Sequence, residues 1–191
     1  MQIIFATQNP NKVKEIQNQI GDIHKIVSLL DLYYLEELEE TQETLEGNAL
    51  QKARFVFNKF GKACFADDTG LEIEALNGEP GIYSARYGGT EKSFEKNMDL
   101  VLSKLEGQTN RKAQFRTAIA LLDKNGKEHL FEGVCKGEIL KGKIGEGGFG
   151  YDPIFRPEGY QETFAQLSME TKNKISHRGI AVSNLIKFLK A

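Results

Sequence analysis

The first apolar run, "QIIFAT", is rich in β-branched and aromatic residues, and the polar stretch "QNPN" breaks it before Val13, Ile16 and Ile20 recur three and four apart. That change of period predicts a short buried strand, a turn and an amphipathic helix. "KIVSLL" predicts a second strand, whereas the acidic stretch "DLYYLEELEETQET" is too weakly periodic to predict an element. Leu45, Ala49, Ala53, Val56 or Phe57, and Phe60 then mark one face of a helix that Gly61 stops.

"KACFADD" predicts a buried strand, and Leu71, Ile73 and Ala75 alternate with Glu72 and Glu74 as in a half-exposed one, with Asp-Thr-Gly joining the two. Phe94, Met98, Val101 and Leu105 define another helix, ended by Gly107. "KAQFRTAIALLD" and "EHLFEGVCKGEIL" flank Asn125-Gly126, a pair suited to a two-residue type I′ hairpin turn because both tolerate positive φ. "SHRGIAVSNLIKFLK" predicts a closing helix with Ala181, Leu185 and Phe188 or Leu189 inward and Ser176 as its N-cap. Helices mixed with parallel-capable and antiparallel strands place the fold in the α/β or α+β class.

At 191 residues and 40% hydrophobic side chains, the chain has enough apolar mass for one large domain or two small lobes. Its net charge of -2 argues against a nucleic-acid polymer as main partner, since such binding is driven by Lys and Arg displacing counterions. Cys64 and Cys135 lie in apolar surroundings without C-x-x-C spacing, as expected of reduced core residues in a cytoplasmic protein. The apolar start is too short for a signal peptide, and no later run approaches a membrane span.

The candidate chemistry begins at Asp67 and Asp68. Neighbours on an extended strand point to opposite faces, so only one of the two is expected to face a reaction, and both could instead serve a turn at Thr69-Gly70. "TQNPNK" places a helix N-terminus and Lys12 where an anion would sit, although Asn9 as N-cap and Pro10 in the first turn suffice for ordinary helix starting. "GEGGFG" matches G-x-G-x-x-G, but the prolines that follow exclude the helix a dinucleotide loop requires. It suits a loop where backbone approaches a flat ligand and Phe149 or Tyr151 offers a stacking face, or else a bulge between core strands. "KNKISHRG" gathers Lys172, Lys174, His177 and Arg178 near a helix N-terminus, where the macrodipole disfavours cations and a ligand better explains them. His24 and His129 lack such company. With no Cys/His constellation, any metal should be a hard, oxygen-bound ion such as Mg²⁺.

Together, "TQNPNK", "FADDTGLEIEALNGEPGIYSARYGG", "GFGYDPIF" and "SHRG" resemble, in order and spacing, the inosine triphosphate pyrophosphatase family. The resemblance implies Mg²⁺-dependent hydrolysis of non-standard purine nucleoside triphosphates (ITP, dITP, XTP) to the monophosphate and pyrophosphate. It implies a single domain over residues 1–191, an α/β fold with a long mixed central sheet and two lobes around a cleft, and a cytoplasmic homodimer. Carried over by motif, Asp68 is proton acceptor and metal ligand, with Glu40 or Glu39 as a second ligand. Thr7, Gln8, Asn9, Pro10, Asn11 and Lys12 hold the triphosphate, Thr69 follows Asp68 against substrate, and Lys52, Ser84 and Arg86 contact phosphate. Phe149, Gly150, Tyr151, Asp152, Lys172, His177 and Arg178 match the nucleoside-binding part. Gly47 departs from relatives that carry an acid beside the Asn of "LEGNA".

The implied mechanism is attack of water on the α-phosphorus, with Lys12, Lys52 and Arg86 stabilising charge on departing pyrophosphate. Neutralising Asp68 is expected to cost far more than neutralising Asp67. Donors near His177 and Arg178 would pair with the purine 6-oxygen and leave adenosine's amino group unsatisfied. Two such mismatches, at about 1 to 3 kcal/mol each, give roughly 30- to 10⁴-fold discrimination against ATP. A pyrophosphatase for modified pyrimidine or methylated nucleotides, a nucleotide-binding regulator and a nucleic-acid module are the competing readings. The retained Asp68 argues against the regulator.

Overall fold

A computed structural model describes residues 2–20 and 25–190, so His24 lies outside the described residues. Among the described residues seven strands form one sheet: β1 (Gln2–Phe5), β2 (Lys25–Ser28), β3 (Cys64–Ile73), β4 (Pro80–Gly81), β5 (Lys112–Leu122), β6 (Glu128–Ile139) and β7 (Phe155–Pro157). Their order is β2-β1-β3-β5-β6-β7, with β4 beside β3. β1 runs parallel to β2 and β3, while β4 on β3 and β7 on β6 are antiparallel, so the sheet is mixed. The α-helices among the described residues are α1 (Pro10–Ile20), α2 (Leu45–Phe60), α3 (Phe94–Lys104), α4 (Met169–Ile175) and α5 (His177–Lys190). The fold is α/β.

The chain forms two compact units. One comprises residues up to 68, 117–133 and those from 178 onward; the other comprises 69–116 and 134–177. In the first, Ile3, Phe5, Phe65, Ile119 and Leu121 of the sheet pack with Ile16 and Ile20 of α1 and Ala181, Val182 and Leu185 of α5. Phe5 and Phe65 stack at 4.5 Å, and burying side chains of this size contributes about 1.5 to 3 kcal/mol each. The second unit encloses Leu71, Ile73, Met98, Val101, Phe115, Ile139, Phe155 and Phe164, with the Phe115 and Phe155 rings 4.7 Å apart.

Several elements differ from the sequence expectation for local physical reasons. β3 is one continuous strand through Asp-Thr-Gly, so no turn there occupies the two aspartates. Gly70 makes this possible, because a Cβ at that position would come within 2.7 Å of the Gly81 carbonyl of β4. Ala75 falls in a 3₁₀ turn over Glu74–Leu76 rather than in a strand. The β5–β6 hairpin forms, but its turn is not type I′, since Asn125 does not take positive φ. Gly126 alone is left-handed, at φ 77, and its N–H donates to Asp123 O, a type I turn closed by an αL glycine. Asp123 Oδ1 accepts from the Asn125 and Lys127 amides and holds that shape.

Ser176 is extended between α4 and α5, and its N–H donates to Lys172 O, so it ends α4 directly before His177 opens α5. Lys172 and Lys174 therefore occupy the last turn of α4, where the macrodipole favours cations. Only His177 and Arg178 stand at the start of α5. Its inward residues are Ala181, Val182 and Leu185 with partly buried Leu189, while Phe188 is exposed and packs on His129 and Phe131.

Candidate active site

The turn from β1 into α1 is held by its own side chains. Thr7 Oγ1 accepts from the Asn9 amide, and Asn9 Oδ1 accepts from Asn11 N at 2.9 Å and Lys12 N at 3.4 Å, so Asn9 caps α1 with Pro10 at its first position. Gln8 Nε2 donates to the Tyr34 and Glu36 carbonyls, tying this turn to the acidic segment. Of the six residues, Lys12 reaches the acids: its Nζ lies 2.9 Å from Asp67 Oδ1.

Asp67 and Asp68, successive on β3, face different partners as the strand's alternation requires, yet both are buried. Asp67 Oδ1 accepts from Lys12, and Oδ2 lies 3.3 Å from Arg178 Nε. Its desolvation is outweighed by Lys12, Arg178 and Lys52, which hold the carboxyl well below the usual range. Asp68 Oδ2 instead accepts from Asn48 Nδ2 at 3.0 Å, and Oδ1 lies 3.9 Å from Lys52 Nζ. For Asp68 burial prevails, helped by nearby Glu40, and pushes the carboxyl up despite Lys52.

Lys52 gathers this group. Its Nζ lies 2.5 Å from Glu40 Oε1 and 2.8 Å from the Asp67 carbonyl oxygen. Desolvation weakens the ammonium, but Asp68 and Glu40 more than compensate and its pKa is raised. The structure thus places Glu40, and not exposed Glu39, beside Asp68. Sequence reading missed Asn48. The signal was present, because Leu45, Asn48, Ala49, Lys52, Ala53 and Val56 form one buried helical face, and two polar residues within an apolar stripe require partners. Gly47 precedes Asn48 where a Cβ would come within 2.8 Å of Gln42 Cβ, while Gln42 N donates to Asn48 Oδ1.

Glu15 was also missed. It lies beside Ile16 on α1, 7% exposed, and its Oε2 accepts from Arg178 Nη1 at 2.5 Å. Arg178, itself 4% exposed, is gripped by Glu15 and Asp67, which raise its pKa against the cost of burial.

The other predicted residues belong to the second unit. Asp152 Oδ2 accepts from Lys172 Nζ at 2.7 Å and from the Phe149 amide at 2.9 Å, closing the glycine-rich loop. Lys172 lies 5.0 Å from the Phe149 ring centroid. Phe149 is the partly exposed ring of the loop, whereas Tyr151 is buried with its hydroxyl donating to Ser84 O at 2.7 Å, so Phe149 is the ring placed to stack on a ligand. Gly150, at φ 65, follows it in the left-handed region. His177 is buried with its ring stacked on Phe115, the centroids 4.5 Å apart and the planes nearly parallel, and it lies close to Phe164. Ser84 Oγ donates to Gly81 O and accepts from Leu71 N, so its hydroxyl braces backbone; Arg86 lies over the Tyr83 ring. Thr69 follows Asp68 on β3, partly exposed.

The Ham1 family model matches residues 3–188. The chain belongs to the Ham1 family. It is 55% identical to a dITP/XTP pyrophosphatase of Flavobacterium psychrophilum over all of both chains, and 50% identical to one of Porphyromonas gingivalis across 98% of this chain and 96% of the other. Among solved structures, the Staphylococcus aureus Ham1 protein superposes with TM-score 0.89 at 42% identity, covering 100% of this chain and 98% of that one. A HAM1 protein from Coxiella burnetii gives 0.90 at 37% identity with the same coverage.

For this family member, a divalent ion can be weighed against the donor set. Among the described residues no three His, Cys, Asp or Glu side chains form a metal cage. Glu40 and Asp68 nevertheless bring two carboxylates to a single ammonium, and Asp68 is held up by burial and by Glu40, a strain that a cation would relieve. Mg²⁺ is commonly held by one or two carboxylates completed by waters and substrate phosphates, so the residues present fit it.

Proposed function

We propose that this Ham1 chain hydrolyses the non-standard purine nucleoside triphosphates ITP, dITP and XTP to the monophosphate and pyrophosphate, with Asp68 as the base. The observation that carries the assignment of Asp68 is its setting. It is a buried carboxyl whose proton affinity is raised, oriented by Asn48 and Lys52, on a strand whose preceding residue is occupied elsewhere. A base so tuned accepts a proton from water more readily than an exposed carboxylate. The relatives named dITP/XTP pyrophosphatase support the substrate class.

In this reading Glu40 and Asp68 would hold Mg²⁺, which would supply charge neutralisation on the phosphates. Lys12 and Lys52 bind phosphate oxygens and stabilise the charge that gathers on pyrophosphate. In the second unit Asp152 fixes Lys172 and the loop that carries Phe149, the ring placed to stack on a base; in the first, Arg178 is the donor for a purine 6-oxygen. A cytoplasmic homodimer completes the proposal; no described helix is long and apolar enough to cross a membrane.

The test is pyrophosphate release from ITP, XTP, GTP and ATP with Mg²⁺ and with excess chelator. Release from ITP and XTP is expected to exceed that from ATP by roughly 30-fold or more, to vanish on chelation and to return with Mg²⁺. Equal turnover of all four would remove the base selectivity, and full activity in chelator would remove the metal.

A further inference from the structure

Lys12, Lys52 and Arg178 meet at Asp67 in the first unit, Lys52 and Arg178 buried and Lys12 17% exposed. Asp67 Oδ1 accepts from Lys12 of α1 at 2.9 Å, its Oδ2 lies 3.3 Å from Arg178 of α5, and its carbonyl oxygen accepts from Lys52 of α2 at 2.8 Å. The side chain is 1% exposed. Lys12, Lys52 and Arg178 come from helices far apart in sequence, and like charges brought together without water repel strongly. A carboxylate among them offsets that repulsion and sets where each head group points, as Glu15 does from the other side of Arg178. The sequence reading expected neutralising Asp67 to cost much less than neutralising Asp68; the cations around Asp67 give it a larger part.

We propose that Asp67 is a positioning residue for this reaction: by holding Lys12 and Arg178 in fixed geometry within one ion cluster, it sets the site's grip on the nucleotide. It touches neither the attacking water nor the reacting phosphorus; it acts through the two cations. Asparagine in its place would keep the shape, lose the charge and turn an amide N–H₂ toward an ammonium or a guanidinium. A rigid guanidinium matters because a donor fixed before binding loses little freedom when it pairs. The proposal rests on Lys12 and Arg178 contacting nucleotide, and the test separates the two ideas.

Asp67→Asn, Asp67→Glu, Lys12→Met, Arg178→Ala and the doubles Asp67→Asn/Lys12→Met and Asp67→Asn/Arg178→Ala would be assayed with ITP at saturating Mg²⁺, after circular dichroism and thermal melting select variants folded at the assay temperature. Asp67→Asn is expected to lower kcat/KM on the order of 100-fold, mostly through KM, as for truncation of a buried charge pair. Each double should be no worse than about three-fold below its weaker parent, since partners acting as one unit are not additive. Asp67→Glu, which restores the charge, should recover about ten-fold of the loss. The proposal is overturned if Asp67→Asn stays within about three-fold of the parent, or if the losses multiply in both doubles. Should Lys12→Met and Arg178→Ala themselves be near parental, it is the assignment of those cations to nucleotide that fails. If Asp67→Asn does not fold, Asp67→Glu carries the same test against Lys12→Met and Arg178→Ala.

Discussion

At the scale of the residue, adjacent carboxyls on one strand are driven in opposite directions by their partners. Asp67, among cations, stays ionised far into acid, while Asp68, desolvated and near Glu40, has its carboxyl raised. Asp68→Asn is expected to keep the fold and lower kcat on the order of 100-fold or more, since it removes a positioned base. Circular dichroism with steady-state kinetics checks this, and a variant with parental kcat would exclude Asp68 as the base. The same logic separates two neighbouring glutamates. Glu40→Gln should raise the Mg²⁺ concentration needed for half-activity about 10-fold or more, whereas exposed Glu39→Gln should leave it unchanged. A Mg²⁺ titration of both variants decides which glutamate serves.

At the scale of the element, the glycine-rich loop before Asp152 depends on backbone that only glycine adopts comfortably. Gly148 sits at φ 72, and a Cβ there would lie 2.0 Å from Asp152 Oδ2, the oxygen that receives Lys172 and the Phe149 amide. Gly148→Ala therefore incurs a left-handed penalty of about 1 to 2 kcal/mol and pushes Asp152 from its partners. The melting temperature should fall by several degrees, and KM for ITP should rise about 10-fold with a smaller change in kcat. Gly142, with open space around it and no positive φ, is the control, and its alanine variant should behave as the parent. Identical KM values for the two variants would show that this loop does not carry the nucleotide.

At the scale of the whole molecule, each compact unit holds one cysteine, Cys64 in the first and Cys135 in the second. Burial pushes their thiols up to about 12 and about 11. The sign follows directly: a group whose folded pKa is raised contributes stability below its unfolded pKa, near 8.5, and loses it as pH rises through the folded value. Stability measured by urea unfolding should therefore decline above about pH 9. At pH 8 both thiols should react with a thiol reagent at least 100-fold more slowly than in denaturant. Rapid labelling of one alone would show that the unit containing it opens.

Much of this architecture was legible in the sequence. The 3.6 and 2.0 periods located the first strand and helix, the α2 stripe, the hairpin and the final helix, because solvent exclusion acts on side chains along each element before any partner is known. Family motifs along the chain pointed to Asp68, Lys12, Lys52, Lys172 and Arg178. Only the tertiary structure decided what depends on partners distant in sequence. β3 continues through Asp-Thr-Gly because β4 lies against Gly70. Glu40, and not Glu39, stands beside Asp68 because Lys52 reaches it. Ser176 ends one helix before the next begins, which changes the dipole each lysine meets. Asn48 and Glu15 acquire their roles from Asp68 and Arg178, residues 20 and 163 positions away. A side chain's charge is written in the sequence, but its proton affinity and orientation come from the groups that folding sets around it, and for Asp67 those groups arrive from three separate helices.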